Sequence, residues 1–153
     1  MPYGLATAGD VLTAVNVNLL PRGRVAYAQA VANQTGVTTI TDATSLSVTF
    51  TAVSGRNYRT TVFMEIGSTV AGDLLVAYIT TGANTQVMRA AVVAPALVGG
   101  SSYSPVMFAY NSSALSGSTT HKVRIERNAG TGTMGIGASA TFPAFIMVED
   151  LGA

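Results

Sequence analysis

Few groups in this chain could move protons. There is one histidine, His121, and seven carboxylates: Asp10, Asp42, Glu65, Asp73, Glu126, Glu149 and Asp150. A Ser-His-Asp relay would draw its serine from Ser116 or Ser118 and its acid from Asp73. A nucleophilic serine of that kind sits in a G-x-S-x-G elbow between a strand and a helix. Ser116-Gly117-Ser118 reads instead as an ordinary turn, and a strand histidine packed at a sheet face or a subunit interface is the simpler reading of His121. Without cysteine and with one histidine, too few soft ligands remain for a zinc site. Glycoside hydrolysis needs two carboxylates facing each other across a cleft. Glu149 and Asp150 are adjacent, so on a strand they point to opposite faces. Glu126 beside Arg124 and Arg127, and Glu65 near Arg59, are read as cross-strand or rim ion pairs, each weak when exposed.

Two further patterns invite a binding function. Gly130-Thr131-Gly132-Thr133-Met134-Gly135 matches G-x-G-x-x-G, with Glu149 nineteen positions after Gly130. A dinucleotide loop must open a helix whose N-terminus meets the pyrophosphate. Here Ile136 to Phe142 continue as strand-like text, so the motif reads as a hairpin turn leading into a close-packed strand and no cofactor is expected. Of the six tyrosines, Tyr58 and Tyr78 fall at alternating strand positions and read as core. Tyr103 and Tyr110 flank a loop-rich stretch and are the candidates for an exposed contact, such as stacking on a host glycan. The lack of tryptophan counts against a sugar platform.

The elements that must carry these residues are strands. Ser45 to Val53 alternates strictly, with Leu46, Val48 and Phe50 on one face and Ser47, Thr49 and Thr51 on the other. Asn57 to Gly67 does the same, and Ser54-Gly55-Arg56-Asn57 between them predicts a hairpin. Further strands are expected at 25–32, 37–41, 73–81, 86–94, 105–111, 119–127, 133–140 and 144–150, separated by Gly/Ser/Asn turns. Eight to ten short strands with no repeat predict an all-β chain, an antiparallel β-sandwich of jelly-roll type. Residues 1–23 carry a weak helical pattern (Val11, Leu12, Val15, Leu19) and end at Leu20-Pro21-Arg22-Gly23. The expected division is a short N-terminal attachment arm, 1–23, and a sandwich domain, 24–153.

Only 10% of residues are charged while 48% are hydrophobic, against roughly 25% charged in ordinary soluble domains. No stretch approaches the roughly 18 apolar residues of a spanning helix, since Ala90 to Val98 is interrupted by Pro95. Membrane insertion is therefore not expected, and burial of apolar surface against copies of the same chain is. A net charge of +1 with scattered basic residues lacks the clustered basic excess of a direct nucleic-acid footprint. Met1-Pro2-Tyr3-Gly4 lacks the basic and apolar regions of a signal peptide, which predicts synthesis in a host cytoplasm.

Three stretches carry a family resemblance: Ala8 to Asn18, the run Arg24 to Arg56 with its Asn33-Gln34-Thr35-Gly36-Val37 core, and the ending Ala140 to Gly152. Together they resemble small β-rich structural proteins of tailed bacteriophages, particularly those infecting actinobacteria. The resemblance implies a non-enzymatic virion component on the particle exterior. A minor tail protein is the first expectation, with a capsid decoration or head-fibre protein and a host-glycan-binding module as alternatives. The low charge of the body adds the expectation of a homotrimer, whose partners are other virion proteins, either of the tail or the major capsid protein.

Overall fold

The computed structural model describes residues 19–95 and 102–153. Ten strands follow in chain order: β1 (Gly23–Ala30), β2 (Gln34–Val37), β3 (Thr41–Ala52), β4 (Asn57–Ser68), β5 (Leu74–Thr81), β6 (Gln86–Val93), β7 (Ser102–Ser112), β8 (Gly117–Ala129), β9 (Met134–Gly137) and β10 (Ala144–Gly152). Alternation dictates their orientation. In β4, Tyr58, Thr60, Val62, Met64 and Ile66 are buried while Arg59, Thr61, Phe63 and Glu65 between them are not. In β8 the inward row is His121, Val123 and Ile125, and in β10 it is Ala144, Ile146, Val148 and Asp150. These rows meet Leu46, Val48 and Phe50 of β3 and Leu75, Ala77 and Ile79 of β5 in one continuous core. Each large aliphatic side chain fully buried there contributes about 1.5–3 kcal/mol.

Every strand pairing is antiparallel, and the strands form two sheets. One runs β3-β8-β5-β6. The other contains β1-β10-β4, with β7 along the remaining edge of β4 from Tyr58 to Ser68. With that edge taken, β9 lies on the same side of β4 as β10, and β2 on β9 prolongs the lane of β1. The second sheet thus has four lanes, two of them interrupted. With those lanes numbered in chain order, the sheets read 1-8-3-6 and 2-7-4-5, the strand order of a jelly roll with its two Greek keys.

The interruptions are local insertions. Between Phe63 and Glu65, β4 advances two residues while its partner passes from Phe145 back to Gly137, so Ala138 to Pro143 are extruded as a loop. The first-lane interruption also moves an expected strand. The segment predicted at 37–41 pairs instead at Gln34–Val37, because Gly36, with φ of 77°, supports a bulge there and the chain turns away after Val37. Tyr78, expected in the core, is buried on the opposite side of β5. Val76, Tyr78 and Thr80 face outward yet are only 1%, 6% and 1% exposed. Their cross-strand neighbours Arg89, Lys122, Arg124 and Glu126 have long side chains that shield this central strand.

Of the expected arm, 1–23, residues 19–23 are described, Gly23 as the first residue of β1, and 1–18 lie outside the described residues. Residues 19–22 are bound to the end of β10. Arg22 N–H donates to the Asp150 carbonyl (3.2 Å), and Ala153 N–H donates to the Leu19 carbonyl (3.2 Å). Arg56 ties the junction by donating from Nε to Asp150 Oδ2 (2.7 Å) and from Nη2 to the Leu20 carbonyl (2.6 Å).

Candidate functional site

The groups nominated for proton transfer are separated by the fold. His121 is buried, with Nδ1 2.7 Å from the Thr60 hydroxyl and its ring edge-on to Phe50 and Tyr110. Desolvation lowers its pKa, so it is held as a neutral core histidine. Asp73 accepts from the Ser68 hydroxyl (2.6 Å) and from the backbone N–H groups of Thr131 (3.1 Å) and Gly132 (2.9 Å). The Ser68 bond leads in lowering its pKa, burial opposes, and the two backbone donors add to the lowering. The G-x-G-x-x-G motif thus forms a small nest of N–H donors filled by the chain's own carboxylate. A Cβ on Gly130, whose φ is 111°, would stand 1.8 Å from Asp73 Oδ1. That contact, and no nucleotide, accounts for the glycine.

Three other acids are equally committed. Burial pushes the Asp150 carboxyl up, but the Arg56 hydrogen bond, the Gly152 N–H and the charges of Arg56 and Arg22 bring it below its ordinary value. Asp42 is lowered chiefly by its hydrogen bond to Lys122 (2.6 Å), with Arg124 Nε 2.8 Å away. Glu126 accepts from Tyr78 Oη, whose pKa burial and that bond push up to about 12. The pair expected between Glu126 and Arg124 gives way to Glu126–Tyr78 and Arg124–Asp42. Among the described residues no group of three or more histidine or acidic side chains could hold a metal ion, and no helix is long and apolar enough to cross a membrane.

The two tyrosines singled out from sequence lie on opposite sides of the same strand. Tyr110 is level with Thr60 in β4 and turns inward, packing on the core and edge-on to His121 at 5.9 Å. Tyr103 is level with Gly67 and turns outward. Its ring lies on two glycines: a Cβ on Gly67 would come within 2.9 Å of Tyr103 Cδ1, and one on Gly137 within 3.1 Å. The missing side chains make a seat for the ring, an aromatic covering of glycine within a sheet.

On either side of that ring the surface is hollowed. A depression of about 70 Å³ is lined by Thr35, Ser68, Thr69, Ser102 and Thr133 beside Tyr103. A larger one, about 230 Å³, is lined by Asn33, Glu65, Tyr103, Ala138, Ser139 and Phe142. Its far wall is the extruded loop. There Ser139 N–H donates to the Phe142 carbonyl (3.0 Å), Phe142 N–H donates to Ser139 Oγ (3.1 Å), and Ala138 N–H donates to Asn33 Oδ1 (2.8 Å). This stapling holds Phe142 at the tip, 71% exposed. Sequence reasoning missed Phe142, Glu65 and Asn33 because the interruption between β9 and β10 leaves no mark in the alternation. Ser139 to Pro143 was the available turn signal.

Beyond the hollows, an apolar row crosses the same outer face. Tyr27 stacks on Phe145 at 6.0 Å and Phe145 on Phe63 at 5.7 Å. Met107, level with Phe63 on β7, is 73% exposed.

No protein-family model and no curated protein matches the chain. Among solved structures it is similar to the infectious bursal disease virus VP2 subviral particle, with a TM-score of 0.42 and 14% identity over 86% of this chain and 38% of that one. It is also similar to the T=1 particles derived from infectious bursal virus (TM-score 0.44, 15% identity, 86% of this chain and 37% of that one). A third similar structure is an arabinose-bound α-L-arabinofuranosidase, MgGH51 (TM-score 0.35, 12% identity, 88% and 24%). The chain spans under two fifths of the length of each of these.

Proposed function

We propose that this chain is a non-enzymatic structural protein on the exterior of a bacteriophage particle, and that copies of it associate through the outer face of the β1-β10-β4-β7 sheet. The observation that carries the reading is the apolar row Tyr27, Phe145, Phe63 and Met107, which crosses a sheet face without a covering layer from the described chain. The jelly roll is a fold used by capsid and lectin domains alike, so the fold is compatible with the role without requiring it. The phage resemblance of Ala8 to Asn18, Arg24 to Arg56 and Ala140 to Gly152 supports the virion address and a tail appendage, formed as a trimer. In this reading residues 1–23 attach the body to other virion proteins.

Sedimentation equilibrium of the purified chain tests association, and a single monomeric species at micromolar concentration would overturn it. Cryo-electron microscopy of the particle tests the address. A few copies at the tail support the appendage, whereas hundreds of copies over the shell, or occupancy of its vertices, would replace it with capsid decoration or a head fibre.

A further inference from the structure

Glu65 differs from the other described acids. Asp42, Asp73, Glu126 and Asp150 have hydrogen-bond partners, and Glu149 is level with Arg24 and Arg59 on its two sides. Glu65 has no hydrogen bond or ion pair among the described residues, and its cross-strand neighbours are Pro105 and Gly137, neither of which offers a donor side chain. The ion pair expected with Arg59 does not form. Arg59 donates to Asn111 instead (3.3 Å). A half-buried carboxylate without a protein partner, in a hollow walled by Tyr103 and Phe142, is a place for a ligand that donates hydrogen bonds.

The rest of the lining selects the ligand. Asn33 uses its carbonyl oxygen on Ala138 N–H, which leaves its amide protons to donate into the hollow. Ser139 Oγ accepts from Phe142 N–H and keeps its own proton to give. A cation would meet the rings and Glu65 well but would find these donors opposed to it. Hydroxyl groups, which both donate and accept, match the mixture, and the apolar face of a pyranose ring matches Tyr103.

We propose that the hollow between Tyr103 and Phe142 binds a neutral saccharide, with Glu65 accepting from its hydroxyl groups and the smaller hydroxyl-lined depression beyond Tyr103 receiving the next sugar unit. This goes beyond the structural role and moves the expected glycan contact from Tyr110 to Glu65, Asn33 and Phe142.

The test is calorimetric titration of the full chain with neutral hexasaccharides of glucose, galactose, mannose, rhamnose and N-acetylglucosamine, alongside choline as a cationic probe. The expected result is saturable binding of at least one saccharide, weakened roughly tenfold or more in Glu65→Thr and in Phe142→Ser. Thr49→Ala, on the outer face of the opposite sheet, keeps full affinity. Phe142 lies on the exposed loop, so its variant reads binding without disturbing the core. Absence of saccharide binding up to millimolar concentration overturns the proposal, as does choline binding in its place. So does saccharide affinity unchanged in both variants. Sedimentation of the same variants stays that of the parent chain, so this failure is distinct from a failure of the association reading.

Discussion

The two outer faces of the sandwich are made from the same kind of alternating strand and carry opposite surfaces. On the β3-β8-β5-β6 sheet, Asp42 joins Lys122 and Arg124, and Glu126 caps Tyr78 beside Arg89. On the β1-β10-β4-β7 sheet the middle of the face is Tyr27, Phe145, Phe63 and Met107, with Arg24, Arg59 and Glu149 toward one end. The charged side chains divide almost evenly between the two faces, but the exposed ion pairs lie on the first and the aromatic row on the second. The lesson is that low charge need not mean a uniformly poor surface. One face ties its charges together across its strands, while the middle of the other carries a row of aromatic rings.

If the distribution of charge matters more than its amount, the charges buried between the sheets should be worth most. Arg56 and Asp150, with side chains 4% and 1% exposed, form such a pair. Arg56→Ala strands a buried carboxylate and releases the Leu20 carbonyl, at an expected cost of about 3–5 kcal/mol in urea unfolding. A loss under about 1 kcal/mol would show that water reaches Asp150 and that the pair behaves like those on the exterior.

The next effect breaks the comparison directly. Phe63→Glu places a charge in the apolar row, and its expected consequence is dissociation of the oligomer, with the association constant reduced roughly a hundredfold. Thr49→Glu, an outward position on the opposite sheet, is expected to leave sedimentation unchanged. If both variants dissociate equally, or neither does, the two faces are not functionally different.

Which residues point inward was legible from the sequence, because a period of two assigns the faces of β3, β4, β8 and β10 without knowledge of their partners. Which outward side chains gather into an apolar row was not. Phe63 and Thr49 occupy equivalent outward positions in their own strands, and only the pairing of β4 with β10 and β7 gathers Phe63, Phe145 and Met107 into one row. The candidate site failed to show for the same reason. Tyr103 was visible as a tyrosine near a loop, but Gly67 and Gly137 become its seat only through ladders joining β4 to β7 and β9. Tyr110 looked equivalent to Tyr103 from its position beside the same loops, and the odd separation between them on β7 turns one outward and the other inward. The expected pairings of Glu65 and Glu126 rested on proximity in sequence, whereas cross-strand neighbours come from register.

A smaller effect comes from the histidine between the sheets. Because burial lowers the pKa of His121 below 6.5, the unfolded chain binds a proton there that the folded chain refuses. Its contribution is complete above pH 6.5 and is lost as pH falls below that value toward the folded pKa, at no more than about 1.4 kcal/mol per pH unit. Thermal melts from pH 8 to 5 should show this slope, and His121→Gln should flatten it. An unchanged slope in the variant would place the titrating group elsewhere.

The smallest expected effect belongs to the face richest in ion pairs. Asp42 is 54% exposed, and its bonds to Lys122 and Arg124 are open to water and salt. Its lowered pKa means that its contribution is present above pH 3.8 and fades as pH falls below it. Asp42→Asn is expected to cost under about 1 kcal/mol at neutral pH, and less at 1 M salt, as screening weakens exposed pairs. Urea melts at low and high salt measure both quantities. A loss comparable to that of Arg56→Ala would mean that the charged face holds the sandwich together. A small, salt-sensitive loss fits a face whose charges keep it wetted while the opposite face is free to bind.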